Sequence, residues 1–271
     1  MNNRAIGVFD SGLGGLTCVK ELKRLMPNES IIYFGDTGRV PYGTRSRETI
    51  IKYVGQNIRF LKTFGVKLIA AACGTASTLA LDEAQAAAGD IPVIGVVEPA
   101  SEAALAAAQN GRIGIIGTPA TIGSGAYERT LKSLRPDVYT KSAACSLFVP
   151  MVENGRFGKD DPIIKILVDE YLRDIKEAQC DALILGCTHY PLLKEAIAEY
   201  LGEGTALIDS GRSAALKISR FISENGLAAE SAKPARFFVS DANVYNFSAL
   251  AGMFLGEDIG GDVEKIDIEK Y

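Results

Sequence analysis

Two cysteines stand at matching places in this chain. Ala72-Cys73-Gly74-Thr75 follows the apolar run Leu68-Ile69-Ala70-Ala71, and Gly186-Cys187-Thr188-His189 follows Ala182-Leu183-Ile184-Leu185. Each run reads as a buried strand and each Cys segment as the opening of a helix. Open α/β sheets bind ligands at strand C-termini, and a helix N-terminus favours a thiolate over a thiol. A lone Cys after a buried strand is more often packing than chemistry. Here the neighbours weigh towards chemistry: Thr75, Ser77 and Thr78 follow Cys73, while Thr188 and the chain's one histidine, His189, follow Cys187. Two such thiols suit a pair of bases addressing one substrate atom from opposite sides. Cys18, Cys145 and Cys180 lack this company and read as structural.

Asp10-Ser11-Gly12-Leu13-Gly14-Gly15 is a glycine-rich turn between a strand and a helix. One reading is a dinucleotide fingerprint built on Gly12 and Gly14, with Asp36 as the ribose-binding acid of a nicotinamide-dependent oxidoreductase. Thr17 replaces its third glycine, however, and Asp10 would set a negative charge beside the pyrophosphate. The preferred reading is a loop whose backbone N–H groups approach a small carboxylate, with Asp10 aimed at the reaction centre. The cluster Gly35-Asp36-Thr37-Gly38-Arg39-Val40-Pro41-Tyr42-Gly43 reads equally as a plain turn or as a ligand loop at the same sheet edge. Glu153, in Val152-Glu153-Asn154-Gly155, reads by spacing alone as a solvated acid in a loop.

Positioning these segments requires alternating strands and helices. Strands are expected at 5–9, 31–34, 68–72, 93–97, 112–117, 182–185 and 206–209, with weaker ones near 138–148, 236–239 and 263–266. Helices are expected at 16–26, 46–64, 76–88, 99–110, 119–133, 163–178, 190–201, 212–225 and 244–255. This alternation predicts an α/β fold with mostly parallel sheets flanked by helices. Ile208-Asp209-Ser210-Gly211 echoes Phe9-Asp10-Ser11-Gly12, which with the two Cys turns hints at related halves. Two lobes are expected, with a second series of strands and helices beginning after Pro99.

Composition narrows the function classes. The 271 residues carry 29 Lys and Arg against 33 Asp and Glu, scattered without a basic patch, which argues against a nucleic-acid partner. No run approaches the ~20 apolar residues of a membrane span, and no signal-like stretch precedes Asp10, so a cytoplasmic protein with no membrane partner is expected. Five irregularly spaced cysteines fit reduced thiols, and the lone histidine argues against a zinc site. No lysine stands where a pyridoxal Schiff base would form, so neither cofactor nor metal is expected.

Taken together, Val8-Phe9-Asp10-Ser11-Gly12-Leu13-Gly14-Gly15, Tyr33-Phe34-Gly35-Asp36, Pro41-Tyr42-Gly43, the first Cys turn, Val149-Pro150 with Glu153, Leu185-Gly186-Cys187-Thr188-His189-Tyr190-Pro191 and Phe238-Val239-Ser240-Asp241 resemble the glutamate racemases. The resemblance runs over nearly the whole chain. It implies two α/β lobes, 1–97 plus 210–271 and 98–209, with the active site in the cleft between them, and cofactor-independent interconversion of L- and D-glutamate, which supplies bacterial peptidoglycan synthesis. By position it implies Cys73 and Cys187 as the two proton-transfer bases, Asp10 assisting the first and His189 with Glu153 the second. Asp10, Ser11, Pro41, Tyr42, Gly43, Gly74, Thr75, Thr188 and His189 would hold the substrate, and a homodimer fits the family. One position departs: the family usually carries Asn after the first catalytic Cys, and this chain has Gly74. Gly offers only backbone to the substrate, so a racemase acting on aspartate, or on acidic amino acids broadly, is the alternative. A non-enzymatic two-lobed amino-acid binding protein would also suit the related halves, although it needs no paired thiols.

Overall fold

The computed structural model describes residues 2–241, 247–257, 259 and 263–271. Its strands are β1 (Ile6–Asp10), β2 (Ile31–Gly35), β3 (Leu68–Ala71), β4 (Val93–Ile94), β5 (Arg112–Gly117), β6 (Tyr139–Ala144), β7 (Ala182–Leu185), β8 (Ala206–Asp209), β9 (Arg236–Val239) and β10 (Val263–Lys265). They form two sheets, in the orders β10-β9-β2-β1-β3-β4 and β6-β5-β7-β8. Every pairing is parallel. The central strands are unbroken apolar runs because helices cover both faces: β1, β2, β3 and β7 are buried along their whole length. The fold is α/β with two lobes, as the alternation predicts.

Helix ends follow local chemistry. Ser46 caps Arg47–Lys62, accepting a hydrogen bond from the Thr49 N–H. Asp161 caps Pro162–Glu177, with Pro162 in the first turn, where its missing N–H costs nothing. Leu16, Val19 and Leu22 of helix Leu16–Leu25 share one apolar cluster with Ala215, Ile218 and Ile222 of helix Ser210–Glu224.

Several expected boundaries move. The strand expected at 93–97 stops at Ile94, and a helix begins at Val97, placing Pro99 within its first turn, where proline is tolerated. The helix expected at 76–88 breaks at Ala80, whose backbone leaves the helical region (φ −144°). The helix expected at 119–133 is interrupted by Gly125 in a left-handed conformation, φ 64°. The helix expected at 190–201 opens as the 3-10 turn Tyr190–Leu193. Residues 244–246 of the expected 244–255 helix lie outside the described residues; the helix runs Phe247–Leu255.

Candidate active site

A cavity of about 210 Å³ gathers the segments that leave strand C-termini of both sheets. Ser11 and Gly12 come from β1, Pro41–Thr44 from the loop after β2, and Cys73–Thr75 from β3. Across from them, Thr118 and Pro119 leave β5, Cys145 and Ser146 leave β6, and Gly186–His189 leave β7. Each sheet therefore contributes one of the two cysteines to a single space. Sites for drug-sized ligands span roughly 300–1,000 Å³, so this one suits a smaller molecule.

Cys73 is 5% exposed and sits at the N-cap of helix Gly74–Leu79, its Sγ accepting from the Ala76 N–H at 3.5 Å. That contact alone would favour the thiolate. Burial outweighs it and, together with the nearby Asp10 carboxylate, pushes the Cys73 thiol up to about 12. Burial and the Asp10 carboxylate thus oppose the activation expected of the helix N-terminus at Cys73.

Cys187 lies in different surroundings. It opens not a helix but a turn that leads through His189 into Tyr190–Leu193. His189 Nδ1 stands 3.8 Å from Cys187 Sγ and 3.5 Å from Thr188 Oγ1, while Nε2 meets Glu153 Oε1 at 3.0 Å. The Phe254 ring packs edge-on against the imidazole at 5.1 Å. Burial opposes a charge on His189, but its hydrogen bonds with Cys187 and Glu153 prevail and hold its pKa up to about 10. At neutral pH the ring is an imidazolium, with one N–H for the sulfur and one for Glu153.

Glu153 ends the helix Phe148–Glu153 rather than sitting in a loop, and its side chain remains 40% exposed. It is not simply a solvated acid, because its inner oxygen is committed to His189. Nothing in the local spacing signals a partner 36 residues away.

Asp10 is fully buried behind Ser11. Its Oδ2 accepts from the Gly12 N–H at 3.0 Å, and its Oδ1 has no hydrogen-bond partner among the described residues. Burial raises its pKa, against the opposing pull of His189 and of the turn's N–H groups. Asp36 is equally buried but fully engaged. It accepts from Arg39 Nε at 2.8 Å, Ser240 Oγ at 2.8 Å and the Tyr42 hydroxyl. Asn57 Nδ2 donates to the same Tyr42 oxygen at 3.2 Å. Asp36 thus pins the Pro41-Tyr42-Gly43 loop, which contains a cis Val40–Pro41 bond, and has no oxygen left for a ribose. This removes the support for the dinucleotide reading.

Cys73, Cys187, His189, Glu153, Ser11, Pro41, Tyr42, Gly43, Gly74, Thr75 and Thr188 all line the cavity, whereas Asp10, buried and next in the chain to Ser11, is not among the lining residues. Reading from sequence passed over Thr118, whose Oγ1 lies 3.0 Å from Thr75 Oγ1, and Cys145, read only as packing. The strand-end rule that found Cys73 applies equally to Gly117-Thr118 after β5. No Lys or Arg is among the described lining residues. Arg39, in the loop after β2, is held by Asp36, Gln56 and Glu269. Backbone N–H groups and hydroxyls, among them those of Ser11, Thr44, Thr75, Thr118, Ser146 and Thr188, are available as donors to an anion. Among the described residues no group of His, Cys, Asp and Glu could hold a metal ion, and no helix is long and apolar enough to cross a membrane.

Fold and cavity together define a two-lobed α/β protein that offers two thiols to one small ligand. The chain belongs to the Asp/Glu/hydantoin racemase family, whose model matches residues 7–218. It is 42% identical over 268 residues to the glutamate racemase of Geobacter metallireducens, covering 98% of this chain and 97% of that protein. It is 45% identical over 254 residues to the glutamate racemase of Aquifex aeolicus, covering 94% and 95%. The crystal structure of the glutamate racemase from Francisella tularensis in complex with D-glutamate matches it with a TM-score of 0.93 at 40% identity, over 100% of both chains.

Proposed function

We propose that this protein is a glutamate racemase that interconverts L- and D-glutamate by moving protons between Cys73, Cys187 and the two faces of the substrate α-carbon. The observation that carries this reading is that the two cysteines reach one cavity from two different sheets. The Francisella relative, solved with D-glutamate, supports glutamate as the substrate. The lobes of this reading are 1–97 plus 210–271 and 98–209, with the cavity between them.

In one direction Cys187, as thiolate beside the His189 imidazolium, removes the α-proton. The electron pair of the C–H bond passes to the α-carbon and its carboxylate, where hydroxyl and backbone donors stabilise the developing charge. The Cys73 thiol then delivers its proton to the opposite face. The enzyme ends with Cys187 protonated and Cys73 as thiolate, ready for the reverse reaction. Both steps are proton transfers, so no electrons are gained or lost and no cofactor takes part. Asp10, with one carboxylate oxygen unused and a raised pKa, receives or returns the proton of Cys73. Glu153 keeps His189 protonated while Cys187 alternates.

The remaining parts of the reading follow from the activity. D-Glutamate is a peptidoglycan building block, which fits a cytoplasmic enzyme, and the family resemblance supports a homodimer as a possible assembly. The test is turnover of each enantiomer of glutamate and aspartate, without added cofactor, followed by polarimetry. Glutamate turnover that is lost in both Cys73→Ser and Cys187→Ser supports the proposal. Faster turnover of aspartate than of glutamate would overturn it.

A further inference from the structure

Two contacts of unequal quality hold the nitrogens of His189. Nε2 meets Glu153 Oε1 at 3.0 Å, but that acid is substantially exposed, and Nδ1 faces Cys187 Sγ at the longer distance of 3.8 Å. The torsion that turns an imidazole about Cβ–Cγ is broad and roughly twofold. A half-turn would put Cδ2 where Nδ1 faces the sulfur and Cε1 where Nε2 meets the acid, so both N–H donors would be lost together. Catalysis beside Cys187 therefore depends on which way round the ring is held.

Two neighbours restrict that turn. Gly14 abuts one edge of the ring so closely that a Cβ there would lie 2.7 Å from Nδ1 and 2.9 Å from Cε1. Phe254 meets the ring in a T-shaped contact, with centroids 5.1 Å apart and planes at 80°, inside the range of about 4.5–7 Å in which aromatic pairs attract. Both partners of this contact are buried, Phe254 at 1% exposure and His189 at 4%. Phe254 stands on helix Phe247–Leu255 and shares an apolar cluster with Leu13, Leu16, Tyr190, Ala251 and Leu255, so its own position is fixed by packing.

We infer that Phe254 is a positioning residue that keeps the His189 imidazole in the one orientation in which Nδ1 faces Cys187 and Nε2 faces Glu153. The inference rests on the two-thiol racemisation proposed above, in which His189 stands beside the Cys187 thiolate. Phe254 is not among the residues that line the cavity, so it acts through the imidazole and not on the substrate. The charged or titratable groups that act on His189 are Cys187, Glu153 and Asp10, and the phenyl ring adds no charge to them. A leucine at position 254 would keep the site apolar but remove the flat wall. The imidazole would then sample both orientations, and the thiolate would lose its N–H donor for part of the time. That loss falls on proton transfer and hence on kcat, while substrate binding is spared.

Because His189 is the one histidine of the chain, protein grown with isotope-labelled histidine gives NMR signals from this imidazole alone, with no substrate needed. In the wild type, both ring N–H protons are expected to exchange slowly with water at neutral pH and to show nuclear Overhauser contacts with the Phe254 ring. In Phe254→Leu the N–H signals should broaden and the imidazole titration should move down by about one pH unit, the worth of one hydrogen bond to a charged group. For the same reason kcat should fall roughly tenfold in both directions, with KM within about twofold of wild type. Leu255→Ala, also buried on this helix, should lower the urea midpoint without moving the imidazole titration. The wild-type spectrum keeps the test open if Phe254→Leu fails to fold: no Overhauser contact between the two rings would overturn the inference. An unchanged titration and kcat in Phe254→Leu, a loss in KM alone, or an equal titration shift in Leu255→Ala would overturn it too. Slowly exchanging ring protons in a wild type that does not turn over glutamate would instead overturn the proposed function and leave the seating of His189 standing.

Discussion

His189 Nε2 and Glu153 Oε1 stand 3.0 Å apart, and the other ring nitrogen of His189 faces the Cys187 sulfur at 3.8 Å. The imidazole is thereby held between an acid at the cavity rim and a thiol inside it, while Cys73 meets the Ala76 N–H and lies near the buried Asp10, with no imidazole beside it. The two halves of the site are chemically unequal, and the expected outcomes below follow from that inequality.

Replacing Glu153 with Gln leaves an oxygen that can accept from His189 but removes the carboxylate charge that helps keep the ring protonated. The His189 pKa should fall from about 10, so the alkaline limb of the kcat profile should move to lower pH. Glu153 is substantially exposed, which limits the loss of kcat at neutral pH to about tenfold. An unmoved alkaline limb would contradict the assignment.

The stability of the folded chain should fall on the alkaline side in two overlapping windows. A histidine whose folded pKa is raised binds its proton more tightly when folded, so its contribution is complete below ~6.5 and lost as pH rises to about 10. The Cys73 thiol, raised to about 12, adds a loss that begins near the ordinary ~8.5, where the unfolded chain releases its proton first. Urea unfolding at several pH values should show a midpoint that declines from neutral pH upward. His189→Gln should flatten the first window and leave the second.

Asp36→Asn should act through the loop it pins. Losing the charged acceptor weakens bonds from Arg39, Tyr42 and Ser240, at a stability cost of about 2–3 kcal/mol. With Tyr42 and Gly43 less firmly placed, KM for glutamate should rise more than kcat falls. Steady-state kinetics in both directions check this, and a loss confined to kcat would point to a direct chemical role for Asp36.

How much of this was legible in the sequence depended on range. Buried parallel strands are short apolar runs, so β1, β3, β5 and β7 and the Cys segments after them could be read locally. The breaks at Ala80 and Gly125 could not, because both flanking segments carry helix-forming residues and packing decides between one helix and two. Glu153 looked solvated because its partner lies far along the chain. Asp36 looked free to bind a ribose because Ser240, which helps occupy it, is supplied by a distant C-terminal segment. The unequal sulfurs were hidden for the same reason: the helix N-terminus at Cys73 is a local feature, whereas the burial that outweighs it is a property of the whole fold.

The central claim is that two thiols work from opposite faces of one carbon, and solvent isotope labelling tests it most directly. Protiated L-glutamate is converted in heavy water and both enantiomers are analysed by mass spectrometry before equilibrium. Donation from a second thiol, already exchanged with solvent, should give D-glutamate with one deuterium at the α-carbon while the remaining L-glutamate stays unlabelled. D-Glutamate that retains its original α-hydrogen would mean that one base carries the proton across, and would contradict the account.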